Sequence, residues 1–175
     1  MKNILLLVVL LVISAQGFSQ GAKYGVRGGY NISNLDFDGT PIMTNEHRNS
    51  MYIGFLADYS FSKSVSVQPE IQFSAEGAKD ESIQLDYIQA PILLKLRLSD
   101  KIYLGAGPQV GIKIPKVDDD LRNMAYSGVG AIEYKLNYAL FVDARYTYGF
   151  SNIFDEDLGV SAKNTNIQIG IGYKF

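Results

Sequence analysis

The chain has 175 residues, a formal net charge of −2 and no cysteine, with 17 glycines, 12 tyrosines and 9 phenylalanines. This length fits a single domain, and the lack of cysteine excludes disulfides, thiol chemistry and a lipid-anchored lipoprotein. A near-neutral charge without a basic run argues against a nucleic-acid partner.

The first 19 residues predict a secretory signal peptide. A lysine near the start is followed by an apolar run over 4–13 and then by small residues. Ser19 is the favoured cleavage position, and Gly17 with the preceding alanine offers an alternative. The apolar run is too short to cross a membrane as a helix. We therefore expect a mature domain over 20–175 that can enter a membrane only as strands.

The rest of the chain alternates apolar and polar side chains with a period of two, which is typical of β-strands. The clearest case is 87–113, where a turn at 99–101 separates two such runs. The pattern predicts strands over 23–35, 51–61, 65–75, 87–98, 102–113, 124–136, 138–150 and 164–175. Their connections alternate long and short, as in outer-membrane barrels with both termini on the side of the short turns. The predicted fold is an all-β, eight-stranded antiparallel up-and-down transmembrane β-barrel.

Three prolines lie inside these predicted strands: Pro69, Pro91 and Pro108. Each lacks the N–H that a closed barrel would use in its ladder. We therefore expect a β-bulge at each of them.

Side-chain volume indicates which face of the barrel points inward. The apolar face carries more Ile, Leu, Phe and Tyr than an eight-stranded barrel can enclose, whereas the polar face is rich in Gly, Ser and Gln. We expect the apolar face to contact lipid, with Tyr and Phe near the strand ends forming interfacial girdles. This argument disfavours the alternative of a soluble, lipocalin-like barrel.

Equal numbers of acidic and basic side chains fall on the inward face. Because buried charges are tolerated only when they are paired, we predict a lumen ion-pair network that plugs the barrel. Its members are Arg27, Asp58, Glu70, Lys95, Arg97, Glu133, Asp143 and Arg145. Gly105 is expected opposite Lys95, and Gly107 opposite Leu93, which leaves space for the longer side chains.

No catalytic, cofactor or metal site is predicted. The carboxylate pairs Asp58 with Glu70 and Glu133 with Asp143 have cations on the same or a neighbouring strand, which favours structural pairing over acid–base chemistry. His47, the only histidine, falls in a predicted loop without the spacing of a catalytic triad.

Several segments resemble a family of small outer-membrane barrels called PorT-like, or outer-membrane β-barrel domain, which is similar in build to OmpA and OmpX barrels. The segments that carry the resemblance are 68–70, 87–95, 105–108, 145–153 and 170–175. The resemblance implies an integral protein of a Gram-negative outer membrane. It also implies that the terminal Phe175 is the signal read by the barrel-assembly machinery. The family's namesake belongs to a secretion system, but no catalytic motif accompanies that role.

The leading functional hypothesis is a non-enzymatic outer-membrane protein with a structural role in the envelope, or an accessory subunit of a secretion or transport complex. The expected partners are outer-membrane lipids and lipopolysaccharide, the barrel-assembly machinery and components of such a complex. A narrow porin-like channel is the alternative, and a lipid-modifying barrel enzyme is disfavoured by the lone His47. The acidic segments 118–120 and 155–157 could weakly hold a divalent cation or bridge lipopolysaccharide, although solvated loop charge explains them as well.

Overall fold

A computed structural model describes residues 22–37, 47–77, 79, 84–114, 123–153 and 162–175. Its strands are β1 Ala22–Phe37, β2 Arg48–Ser60, β3 Val65–Gly77, β4 Gln84–Arg97, β5 Ile102–Lys113, β6 Met124–Lys135, β7 Leu140–Gly149 and β8 Ala162–Lys174. Every predicted strand overlaps the observed one along nearly its whole length. The predicted signal peptide lies outside the described residues.

Each strand pairs antiparallel with its neighbours in chain order, and β8 pairs with β1 to close the barrel. Closure leaves no edge strand with unpaired backbone groups, which is what a sheet needs in order to sit in lipid. The predicted eight-stranded up-and-down barrel is therefore confirmed. No helix long and apolar enough to cross a membrane occurs among the described residues.

Burial alternates along the strands as the sequence predicts. In β4 the side chains of Ile88, Ile92 and Leu94 are 41–51% exposed, whereas Gln89 and Lys95 are each 3% exposed. An apolar belt of this extent is unfavourable in water, and it is the surface that the hydrocarbon core of a bilayer accommodates. The apolar face is thus on the outside of the barrel and the polar face lines the lumen.

The two ends of the barrel differ. Short turns at 61–64, 98–101 and 136–139 join the strands at one end, which also holds both termini of the barrel, and we call it the turn end. In each of these turns one polar side chain accepts hydrogen bonds from two backbone N–H groups that follow it, and these side chains are Ser62, Ser99 and Asn137. Such local capping fixes a tight turn without glycine. The opposite end carries the long connections and is called the loop end.

The prolines interrupt the ladder without shifting it. The pairing of β2 with β3 keeps one register on both sides of Pro69, and the pairing of β3 with β4 does so around Pro91. The pairing of β4 with β5 keeps one register around Pro108, and β5 pairs with β6 through Pro108 without interruption. A bulge inserts one residue and changes the register, so the prediction of bulges was wrong. The strands instead lack a few ladder pairs on one side of each proline.

Candidate functional site

The middle of the lumen is filled by four charged side chains that we call the central cluster: Arg27, Glu70, Asp143 and Arg145. The Arg145 guanidinium donates to both carboxylate oxygens of Glu70, at 2.7 and 2.9 Å, and its Nε donates to Asp143 Oδ2 at 2.7 Å. Arg27 Nη2 lies 2.9 Å from the same Asp143 oxygen. All four side chains are almost fully buried. Two cations and two anions make the cluster neutral, which is the condition for burying them.

A second neutral group, the turn-end cluster, consists of Asp58, Lys95, Glu133 and Lys174. Lys95 Nζ lies 3.1 Å from Asp58 Oδ2 and 2.6 Å from Glu133 Oε2. Lys174 Nζ lies 2.9 Å from an oxygen of each of the same carboxylates. The four residues come from four strands, β2, β4, β6 and β8, so the cluster ties alternate strands together across the lumen.

The structure brings seven of the eight predicted network residues into these two clusters and places Arg97 apart from them. Arg97 ends β4, and its guanidinium pairs with Asp100 in the adjacent turn. The side chains of this pair are 34% and 93% exposed, so the pair lies in solvent at the turn end. This corrects the sequence prediction, because a residue at the end of a strand can reach the turn instead of the lumen. Sequence reasoning missed Lys174, although the alternation of β8 places it on the inward face.

Glycines make room for the large inward side chains. Gly105 pairs with Lys95, as predicted, and a Cβ on Gly105 would lie 3.3 Å from Lys95 Cγ. At Gly170 an added Cβ would lie 1.9 Å from the hydroxyl of Tyr52. That hydroxyl accepts a hydrogen bond from Arg27 at 2.7 Å, and the Tyr52 ring lies 4.2 Å from the guanidinium. Because Gly170 on β8 has no side chain, the Tyr52 side chain of β2 can occupy that space and contact Arg27 of the central cluster.

Towards the loop end, the lumen contains a buried carboxylate surrounded by neutral donors. Glu76 accepts hydrogen bonds from Ser74 Oγ at 2.7 Å, and from the amide nitrogens of Gln89 and Asn166, each at 2.9 Å. Asn164 Nδ2 donates to the other carboxylate oxygen at 2.5 Å. Sequence reasoning missed this group because it ended β3 before Glu76. The only available signal was the continuing alternation of Gln72, Ser74 and Glu76.

Little space is left between these groups. A cavity of about 10 Å³ adjoins the central cluster, and one of about 20 Å³ lies beside Glu76. One water molecule needs a space of about 10–15 Å³, so neither cavity is wide enough to be a path for solutes. A wider cavity of about 370 Å³ opens at the turn end and reaches Asp58 and Lys174 of the turn-end cluster. In the part of the chain that the structure describes, the two clusters and the group around Glu76 therefore occupy the lumen beyond the turn-end cavity.

The other sequence-predicted residues lie away from the lumen. Phe175 is 71% exposed on the outer face, and its backbone N–H donates to the carbonyl oxygen of Tyr24 at 2.8 Å, next to the closing strand pair. His47 is exposed just before β2. Among the described residues, no group of three or more His, Asp or Glu side chains could hold a metal ion. The acidic segments 118–120 and 155–157 lie outside the described residues.

Comparison with known proteins places the chain in a family. A family model described as the outer membrane protein beta-barrel domain matches residues 5–175. Among solved structures, the attachment invasion locus protein Ail of Yersinia pestis is 16% identical, with 89% of this chain and 100% of that chain covered and a TM-score of 0.58. Neisserial surface protein A is 12% identical over the same shares, with a TM-score of 0.61.

A comparison with curated proteins gives no match. At these identities the two solved structures show a shared fold and nothing about activity. The family model, in contrast, covers nearly the whole sequence. The chain therefore belongs to the outer membrane protein β-barrel domain family.

Proposed function

We propose that this protein is a non-enzymatic barrel of the Gram-negative outer membrane that does not conduct solutes and acts through its exposed surfaces. Its role is structural in the envelope, or that of an accessory subunit of a secretion or transport complex. The observation that carries this proposal is the central cluster, which occupies the middle of the lumen with four mutually paired charges.

The energetics of that cluster disfavour a lumen that opens and closes. Separating Arg145 from Glu70 would break a two-point contact between two buried charges, at a cost of several kcal/mol. Opening the lumen further would also break the pairs of Asp143 with Arg145 and Arg27. A path through the lumen would therefore require the simultaneous loss of interactions that also hold the strands together. We therefore propose that the protein acts through its outer face, its loops and its turn end, where a rigid scaffold presents variable segments.

The resemblance to PorT-like barrels supports the accessory role, since the namesake of that group belongs to a secretion system. We further propose that Phe175 serves as the signal for the barrel-assembly machinery. Its exposed aromatic ring at the end of β8 leaves it accessible from outside the sheet. Outer-membrane lipids contact the apolar belt in this proposal, and lipopolysaccharide contacts the loop end.

A narrow channel is the second candidate, and one observation favours it. The cavity of about 370 Å³ at the turn end is lined by Lys23, Lys63, Arg97 and Lys135, a basic vestibule of the kind that admits anions. The vestibule stops at the turn-end cluster, however, and the cavities beside the central cluster and Glu76 measure about 10 and 20 Å³.

Membrane fractionation tests the location. We expect the protein in the outer-membrane fraction, with a gel mobility that changes on heating because a folded barrel resists detergent until it is boiled. Recovery as soluble periplasmic material without a heat-dependent shift would contradict the proposal.

The two roles are then separated by purification in mild detergent through a tag inserted between β1 and β2, in 38–46, where the insertion leaves both strands intact. Secretion or transport components recovered in a defined proportion would establish the accessory role. Recovery of lipid alone would indicate a barrel that acts in the envelope by itself.

A further inference from the structure

Glu76 is a buried carboxylate that belongs to neither ion-pair cluster. It is 1% exposed, and the four side chains described above as donating to its carboxylate are all neutral. Arg48 donates to its backbone oxygen at 2.7 Å, but the Arg48 side chain pairs with Asp86. An ionised carboxylate in such a place is costly unless its charge is offset. The eight carboxylates and bases of the two clusters described above solve this problem with ion pairs, whereas the donors to Glu76 are neutral.

The hydrogen bonds of Glu76 are distributed unevenly between its two oxygens. Oε1 accepts from Ser74, Gln89 and Asn166, which fills its lone-pair directions. Among the residues that the structure describes, Oε2 accepts from Asn164 alone. A carboxylate oxygen can accept about two such bonds, so Oε2 has capacity for another partner. That partner must carry hydrogen or positive charge.

Two further oxygens in the same place also lack a partner. The side-chain oxygens of Asn164 and Asn166 are buried and accept no hydrogen bond from any described residue. Both amides already direct their nitrogens at the Glu76 carboxylate. Buried amide oxygens without a donor are rare in folded proteins and call for an explanation. Together with Glu76 Oε2, which has one donor, they form a set of acceptors with unused capacity for hydrogen bonds or a cation.

Two of these residues, Glu76 and Asn164, border a small cavity. A space of about 20 Å³ is lined by Glu76 and Asn164, and also by the oxygen-bearing side chains of Gln109, Ser127 and Thr147. The volume admits a single water molecule or an ion of similar size. Every ligand atom offered by this polar set is a hard oxygen or an amide nitrogen that can be exchanged for its oxygen by rotation of the amide.

We propose that this cavity binds one small monovalent cation, of the size of Na⁺, between the Glu76 carboxylate and the neighbouring amide and hydroxyl oxygens. A single charge balances the single carboxylate. A divalent ion would leave excess charge, since Ca²⁺ sites use six to eight oxygens and commonly several carboxylates. The cation stabilises the loop end of the barrel in the way that ion pairs stabilise its middle and its turn end.

The test is a comparison of salts on the folded protein in detergent. Thermal unfolding is followed in NaCl and in choline chloride at equal ionic strength, because choline is too large for a cavity of about 20 Å³. We expect the unfolding temperature to rise with Na⁺ and to saturate. At ten times the dissociation constant, the rise over choline should be about 3–6 °C. Equal unfolding temperatures in the two salts would overturn the proposal and leave the cavity to water.

Two variants and a control locate the effect. Glu76→Gln keeps the shape and removes the charge, so the Na⁺-specific rise should vanish. Asp86→Asn removes a partly exposed carboxylate at the same end and should retain the rise. Thr147→Val keeps the side-chain volume and removes one lining oxygen, so the Na⁺ concentration at half of the rise in unfolding temperature should increase. If Glu76→Gln does not fold, this variant alone tests the site. An undiminished rise in Glu76→Gln, or an unchanged midpoint in Thr147→Val, would contradict this site.

Discussion

Replacement of Arg145 by methionine is expected to lower the free energy of unfolding by about 3–5 kcal/mol, the cost of leaving a buried ion pair with one partner. Methionine retains most of the side-chain volume but removes the two hydrogen bonds that Arg145 donates to Glu70 and the one that it donates to Asp143. Denaturant titration of the barrel in detergent or vesicles measures the loss. A second change, Glu70→Gln, should recover part of it in the Arg145→Met background because a neutral amide needs no cation.

Arg97→Met is the matched control. This change also removes a guanidinium group, but at the turn end of the barrel, where the ion pair of Arg97 with Asp100 is exposed. Exposed pairs contribute about 0–1 kcal/mol, so the change should be small. Similar losses for Arg97→Met and Arg145→Met would show that burial of the central cluster does not determine its contribution.

Gly107→Ala is expected to prevent formation of a stable barrel. An added Cβ would lie 1.8 Å from the backbone carbonyl oxygen of Ile92 and 3.2 Å from the Cα of Leu93. Backbone atoms cannot rotate away as a side chain does, so relief requires β4 and β5 to separate. We expect a loss of at least about 3 kcal/mol, beyond the usual range for overpacking, and little or no heat-modifiable protein on gels.

Gly130→Ala provides the comparison on the next strand. An added Cβ there meets no atom within 4 Å, so folding should be unchanged. Failure of both variants would point to a general intolerance of substitution, and normal folding of Gly107→Ala would contradict the close approach of β4 and β5.

The barrel itself could be predicted because one signal persists through the sequence. Period-two alternation marks every strand, and side-chain volume then indicates which face points outward. Accordingly, Leu94 is exposed on the outer face, whereas its neighbour Lys95 is buried in the lumen. The pairing of Gly105 with Lys95 followed from the position of one tight turn. These are local properties, and a closed antiparallel barrel converts local patterns directly into architecture.

The details at the strand ends could not be predicted in the same way. Alternation assigns a face but not a depth, so Arg97 was assigned to the lumen although it reaches the turn. The same uncertainty in strand limits hid Glu76, whose donors lie on β3, β4 and β8. Contacts between residues as distant in sequence as Glu76 and Asn164 depend on barrel closure, which no single segment encodes. The bulges predicted at the prolines are absent because a strand can lose a ladder bond without changing register, which the sequence alone does not show.

The most direct test of the closed lumen is electrical recording from the purified protein in planar bilayers. To verify insertion, the protein is reconstituted into the same lipids and recovered from them, and its mobility on gels is compared before and after heating. With the central and turn-end clusters in place, we predict no stepwise conductance above the bare membrane. Uniform, reproducible conductance steps from the inserted wild-type protein would show that ions pass these charges, and would favour the channel instead.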